Sequence, residues 1–206
     1  MERYARTDLA GDGNGVSGTL RSRLTQLYAQ SRIIVDRFQT EVSRDDWHPF
    51  VPATYEVVEQ ALAPFPRGLK FLEWGSANGT ITIMADMLGF EAFGIEIDPQ
   101  LVLLAQQLAR RFDSAAQFAT GSFLPAGYRW ESPTGDGRLG TIGQGESAYQ
   151  TLGQPLTAFD VVFAYPWGGE EPIMLDVMQR YGREDACLLL QGADGILTFR
   201  GGERVA

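Results

Sequence analysis

The sequence has one cysteine and one histidine among its 206 residues. Cys187 cannot form an internal disulfide, and its apolar surroundings favour a small buried side chain over a reactive thiol. A metal site would therefore have to consist of carboxylates, and no acidic residues show a recognisable ligand spacing. The sequence predicts neither a disulfide nor a metal site.

Lysine and long apolar runs are also scarce. Lys70 is the only lysine and does not follow a glycine-rich loop, so the phosphate-binding loop of Walker-type NTPases is absent. No apolar run is long enough to cross a membrane, and the N-terminus lacks the apolar region of a signal peptide. We therefore expect a cytoplasmic protein that does not associate with membranes.

Basic residues are fewer than acidic ones, 17 against 26, and the formal net charge is −9. The two signs balance over residues 1–50, so the whole acidic excess lies in the rest of the chain. Such a chain lacks the electrostatic footprint of a nucleic-acid binder. We expect a small-molecule partner rather than a nucleic acid, and no feature specifies an oligomeric state.

The most informative segment is 71–99. A short apolar strand, 69–72, leads into the turn 75–79, whose glycines permit positive φ and close approach of the backbone to a ligand. Apolar spacing then predicts a helix over Thr80–Leu88 and a second strand over 92–97. This unit would place free N–H groups of the turn beside the carboxyl ends of parallel strands, where open α/β sheets bind ligands.

Glu73 and Glu96 end these two strands. A carboxylate in the second position can accept hydrogen bonds from both hydroxyls of a ribose. Glu73 has two interpretations, as a cap of the following helix or as a ligand-facing group, and its spacing to Glu96 favours the second. The dinucleotide fingerprint G-x-G-x-x-G is not satisfied, because Ala77 and Thr80 stand at its second and third glycines.

The pattern E-x-G-x-x-x-G, followed by an acidic strand end, resembles motif I and the acidic motif of class I S-adenosylmethionine (SAM)-dependent methyltransferases. The resemblance implies a Rossmann-like α/β fold with a doubly wound, mostly parallel sheet, helices on both faces and a shortened C-terminal end. It also implies SAM as the cofactor. The cofactor-binding residues would be Glu73, Gly75, Ser76, Ala77 and Gly79 at the methionine end and turn, Glu96 at the ribose, and Ile97 and Ser122 around the adenine.

The segment 159–167 is typical of a buried strand that runs into the substrate-facing loop of this family. The resemblance assigns Ala164, Tyr165, Pro166 and Trp167 to the acceptor pocket. Family members that methylate an adenine or an amide carry a polar side chain where Ala164 stands, so neither target is indicated. Tyr165 and Trp167 are equally compatible with closing the edge of the core.

Two residues are candidates for catalysis, Tyr165 and His48. The setting Trp-His-Pro-Phe could fold over the cofactor and supply a general base with an unperturbed pKa of about 6.5. The competing interpretation of His48 is a loop histidine satisfied by backbone groups.

The chain is expected to comprise a mobile tail (1–18), a helical cap segment (19–66) and a SAM-binding methyltransferase domain (67–206). The domain includes a long connection, 124–158, which is either a lid or disordered. We predict a SAM-dependent methyltransferase that acts on a small acceptor. Ala77, Ser122 and Ala164 leave open a non-catalytic SAM- or nucleoside-binding protein, and an NAD-dependent oxidoreductase is disfavoured by the missing fingerprint.

Overall fold

The computed structural model describes residues 18–41, 53–129, 142, 145–167 and 169–205. Its helices are α1 (Leu20–Glu41), α2 (Tyr55–Leu62), α3 (Thr80–Leu88), α4 (Pro99–Arg111), α5 (Tyr149–Leu152) and α6 (Glu171–Tyr181), with a 3-10 turn at Leu156–Ala158. Its strands are β1 (Lys70–Trp74), β2 (Glu91–Glu96), β3 (Gln117–Thr120), β4 (Val161–Ala164), β5 (Cys187–Gly192), β6 (Gly195–Arg200) and β7 (Glu203–Val205).

The strands form one sheet in the order β3-β2-β1-β4-β5-β6-β7. The five strands from β3 to β5 are parallel, and β6 and β7 are antiparallel to their neighbours. The direction of winding reverses between β1 and β4, which creates the switch point where such sheets bind ligands. The predicted doubly wound, Rossmann-like α/β fold is confirmed.

Two apolar cores cover the faces of this sheet. Helices α1 to α4 contribute to the first core, and α5 and α6 contribute to the second. Phe71 faces the first core, whereas Leu72 and Trp74 face the second, as the alternation of a strand requires. Glu73 therefore points to the face that α1 to α4 cover, and it occupies a position where an apolar side chain would be expected.

The C-terminal end of the sheet is simpler than the helix-linked part. β5 continues into β6 through a tight turn, with no helix between them, as the predicted shortening requires. Strand β7, whose three residues are all exposed, was not predicted from the sequence. A signal was present, because Gly201 and Gly202, with φ of 57° and 82°, form the two-residue loop of a hairpin.

Local sequence signals set the start of helix α4. Asp98 caps α4 by accepting a hydrogen bond from the Gln100 N–H at 2.7 Å, and Pro99 is the first residue of the helix. Within the connection 124–158 the structure contains α5 and the 3-10 turn, which are too short for periodicity to reveal. The division into tail, cap segment and domain stays a prediction.

No helix in the described part of the chain combines the length and apolar character that crossing a bilayer requires.

Candidate functional site

The turn between β1 and α3 is held against strand β2. The backbone N–H groups of Gly75 and Ser76 both donate to the Ile95 carbonyl, at 2.9 Å each. Gly75 and Ala77 have positive φ, 72° and 47°, and the left-handed conformation is costly for the alanine because of its Cβ. The site thus retains the backbone shape of a glycine turn even where a glycine is missing.

Close packing explains the last glycine of the turn. A Cβ on Gly79 would lie 2.7 Å from both the Ala105 Cβ and the Phe118 ring, and Gly79 also has a φ of 78°. Gly94 in β2 has a similar role, because a Cβ there would lie 2.7 Å from the Ser76 side chain. Both glycines let the turn approach β2 and α4 closely.

Glu96 ends β2 and binds the turn directly. Its Oε2 accepts a hydrogen bond from the Ala77 N–H at 2.8 Å, and its Oε1 accepts one from the Asp98 N–H at 3.0 Å. Burial raises the pKa of this carboxyl, and the two N–H donors act in the opposite direction. Each oxygen retains a lone pair, so the carboxylate can also accept hydrogen bonds from a ligand.

Glu73 is the penultimate residue of β1 and caps helix α3. Its Oε2 accepts hydrogen bonds from the Thr82 N–H at 2.9 Å and from the Thr82 hydroxyl at 2.5 Å. The pKa of Glu73 is raised to about 8, because burial and the nearby charge of Glu96 outweigh the Thr82 hydrogen bonds, which lower it. The helix-cap interpretation of Glu73 is therefore present in the structure, and the ligand role stays a prediction.

A cavity of about 50 Å³ lies beside the turn. Its lining includes Glu73, Ser76, Asn78, Tyr55, Phe163 and Tyr165. The Ser76 hydroxyl is buried and has no hydrogen-bond partner in the described residues, which suits a ligand with a polar group. Ligand pockets usually measure about 300 to 1,000 Å³, so this space could take only one end of a nucleoside cofactor.

Ile97 and Ser122, the predicted adenine surroundings, both contact the long connection. A Cβ on Gly145 would lie 2.7 Å from the Ile97 Cδ1. The Ser122 N–H donates to the Glu146 carbonyl at 2.8 Å, and the Ser122 hydroxyl accepts from the Leu124 N–H at 3.1 Å. A second cavity, of about 560 Å³, is bordered by Ser122 and Gly145. The connection thus folds back onto the carboxyl ends of β2 and β3.

The end of β4 and the loop after it have residues both in the core and at the cavity. Ala164 is completely buried in the second core, while Tyr165, Pro166 and Trp167 are half-buried. Tyr165 lines the 50 Å³ cavity together with Glu73. The structure therefore places Tyr165 beside the turn and Ala164 inside the sheet.

Glu170 was not assigned to the site by the sequence, yet it organises this loop. Its Oε2 accepts from the Trp167 N–H at 2.7 Å, and its Oε1 accepts from the Ile142 N–H at 2.9 Å. This buried carboxylate joins the loop after β4 to the long connection. The only signal in the sequence was the position of this acidic residue at the N-terminal end of a helical segment.

Two further residues named from the sequence are His48 and Cys187. His48 lies outside the described residues, so its role as a general base stays a prediction. Cys187 is buried, and its Sγ accepts a hydrogen bond from the Arg200 guanidinium at 3.0 Å. Among the described residues, no group of three or more histidine, cysteine or acidic side chains could hold a metal ion.

No protein-family model matches the sequence, and no curated protein matches it significantly. Solved structures with a similar fold include a precorrin-6y C5,15-methyltransferase from Geobacter metallireducens (17% identity, TM-score 0.46, 68% of this chain and 63% of that chain). They also include an RNA methyltransferase from Salinibacter ruber in complex with S-adenosyl-L-homocysteine (SAH) (19%, 0.48, 68% and 76%). A TehB-like SAM-dependent methyltransferase from Corynebacterium glutamicum is similar over 83% of this chain and 76% of its own (15%, 0.44). These likenesses concern the fold alone.

Proposed function

We propose that this protein binds SAM across the carboxyl ends of β1, β2 and β3 and transfers its methyl group to a small acceptor. The observation that carries the proposal is that Glu96 and the turn form one unit. The Ala77 N–H of the turn donates a hydrogen bond to the Glu96 carboxylate at the end of β2. The turn would hold the amino-acid end of the cofactor, and Glu96 would bind the ribose hydroxyls. Ile97 and the backbone around Ser122 would surround the adenine.

Two carboxyl groups lie beside the turn, Glu96 and Glu73, and a cation bound there would favour the ionised form of Glu73. Among the described residues, the lining of the 50 Å³ cavity includes the Glu73 carboxyl and no basic side chain, and Glu96 is bound to the adjoining turn. Glu73 also occupies the Thr82 N–H in the first turn of α3, which a pyrophosphate would otherwise use. A sulfonium and an ammonium are favoured here, whereas the two phosphates of NAD are disfavoured.

Bound SAM supplies a methyl carbon that a sulfonium activates toward nucleophiles. The chain itself has to align the acceptor with that carbon, exclude water and accept a proton when the acceptor carries one. Tyr165 lies at the cavity beside Glu73 and is proposed to position the acceptor. Glu73, with a pKa near 8, can hold a proton close to neutral pH.

Calorimetric titration of the protein with SAH and with NAD, at the same concentration and salt, tests the proposal. We expect saturable binding of SAH and none of NAD. Absence of SAH binding, or tighter binding of NAD, would reject SAM as the cofactor.

A SAM-binding protein without transferase activity is the second candidate. It is favoured by the small volume beside Tyr165 and by the burial of Ala164, which leave little room for an acceptor. Incubation with SAM and a broad panel of small amines, phenols and thiols separates the two functions. SAH formation with any acceptor supports the transferase, whereas SAM binding without SAH formation supports the binder.

A further inference from the structure

A closed network of polar side chains joins the N-terminal helices to the turn. Ser31 of α1 is completely buried, and its hydroxyl lies 2.7 Å from the Tyr55 hydroxyl of α2. The Asn78 Nδ2 donates to the Ser31 Oγ at 2.9 Å. The Thr80 hydroxyl lies 2.7 Å from the Ser31 Oγ and 2.8 Å from the Asn78 Oδ1.

One arrangement of protons satisfies the four side chains together. Tyr55 donates to Ser31, Ser31 donates to Thr80, Thr80 donates to Asn78, and the Asn78 amide donates back to Ser31. A buried network with every member satisfied fixes one geometry, whereas a partly satisfied one is costly. Ser31 contacts each of the three others, and it is the member that α1 contributes.

Two of these residues belong to the cofactor turn or adjoin it. Asn78 stands between Ala77 and Gly79, and Thr80 is the first residue of α3. The strained conformation of Ala77 can persist only where its surroundings hold it in place. Strand β2 holds one side of the turn through the Ile95 carbonyl, and Ser31 holds the other side through Asn78.

We propose that Ser31 is a positioning residue for the cofactor, which acts through Asn78 to hold the turn in its binding conformation. This inference rests on the proposed SAM site. Tyr55 extends the network into the cavity, because its side chain is bonded to Ser31 and the residue also lines the 50 Å³ space. The N-terminal helices would therefore form part of the cofactor site.

The test measures SAH affinity by calorimetry for the wild-type protein, Ser31→Ala, Asn78→Ala and the double variant. We expect Ser31→Ala to weaken SAH binding by roughly 3- to 30-fold. The same substitution should have little further effect once Asn78 is alanine, because the two residues act as one unit. Thr25→Ala, on the exposed side of the same helix, is the matched control and should bind as the wild type does.

A purely structural role would lower the thermal midpoint of Ser31→Ala and leave the affinity of the folded protein unchanged. Tyr55→Phe, which keeps the ring and removes one hydroxyl, serves as a milder variant should Ser31→Ala not fold. Unchanged SAH affinity in the folded variants, or additive effects of Ser31→Ala and Asn78→Ala, overturns the inference. The proposed function still stands in that case, provided that the wild-type protein binds SAH. Absence of SAH binding by the wild type rejects both.

Discussion

Glu73 and Glu96 lie at the carboxyl ends of neighbouring parallel strands, and both are buried, but they have different partners. Glu96 uses both oxygens to bind backbone N–H groups of two loops, at Ala77 and Asp98. Glu73 uses one oxygen to cap a single helix at Thr82. The first carboxylate therefore orients the turn that would meet a ligand, and the second stabilises the helix that follows.

Burial raises the pKa of both carboxyl groups. Backbone donors on both oxygens of Glu96 favour its charged form, although burial raises its pKa. Burial dominates at Glu73 and raises its pKa to about 8. The two acidic positions thus differ in their hydrogen-bond partners, backbone N–H groups of two loops at Glu96 and a single helix at Glu73, and substitutions at the two sites should have different consequences.

The largest expected effect is on stability, in Glu73→Gln. The unfolded carboxyl ionises near its model value of 4.5 and the folded one near 8, so the unfolded state binds fewer protons between these pH values. The free energy of unfolding of the wild type therefore falls as pH rises from about 4.5 to about 8, and this loss should be absent in Glu73→Gln.

We expect the variant to gain on the order of 2 to 4 kcal/mol relative to the wild type between pH 5 and pH 9. Urea denaturation at pH 5, 7 and 9 measures this difference. Parallel pH profiles for the two proteins would show that Glu73 does not titrate in this range.

Glu96→Ala should have the next largest effect, and on binding. Removing the carboxylate should weaken SAH binding by about 1 to 3 kcal/mol, because charged hydrogen bonds to the ribose are lost and the Ala77 N–H loses its partner. Glu91→Ala, at the exposed opposite end of β2, is the control and should bind SAH normally. Calorimetry decides, and wild-type affinity in a folded Glu96→Ala would remove Glu96 from the ribose site.

The contrast between the two carboxylates also shows what the sequence could reveal. The glycines of the turn and the start of helix α3 at Thr80 are local signals, and the structure contains them at the predicted places. Hydrophobic periodicity does not predict hydrogen bonds between residues that are far apart in the sequence. The bonds of Asn78 to Ser31 and of Ile142 to Glu170 span 47 and 28 residues, and only the folded chain brings these groups together.

The pH dependence of SAM binding should distinguish the two carboxylates further. A cationic cofactor favours ionised Glu73, so binding below pH 8 should release a proton, and affinity should rise between pH 6 and pH 8. The rise is limited to about tenfold per pH unit for a single group. Titrations in two buffers of different ionisation enthalpy measure the proton release. SAM binding to Glu73→Gln should release fewer protons than SAM binding to the wild type. Equal proton release by both proteins would assign the proton to another group.

The smallest expected effect concerns the third strand end, at Ser122. Its hydroxyl already accepts from the Leu124 N–H, and its backbone holds the connection through the Glu146 carbonyl and the Ala148 N–H. Ser122→Ala should therefore cost about 0.5 to 1.5 kcal/mol in the free energy of unfolding. SAH affinity should change far less than in Glu96→Ala, because the main-chain contacts persist. A loss of affinity as large as that of Glu96→Ala would show that the hydroxyl binds the adenine, and that β3 contributes a specific polar group where we expect only backbone.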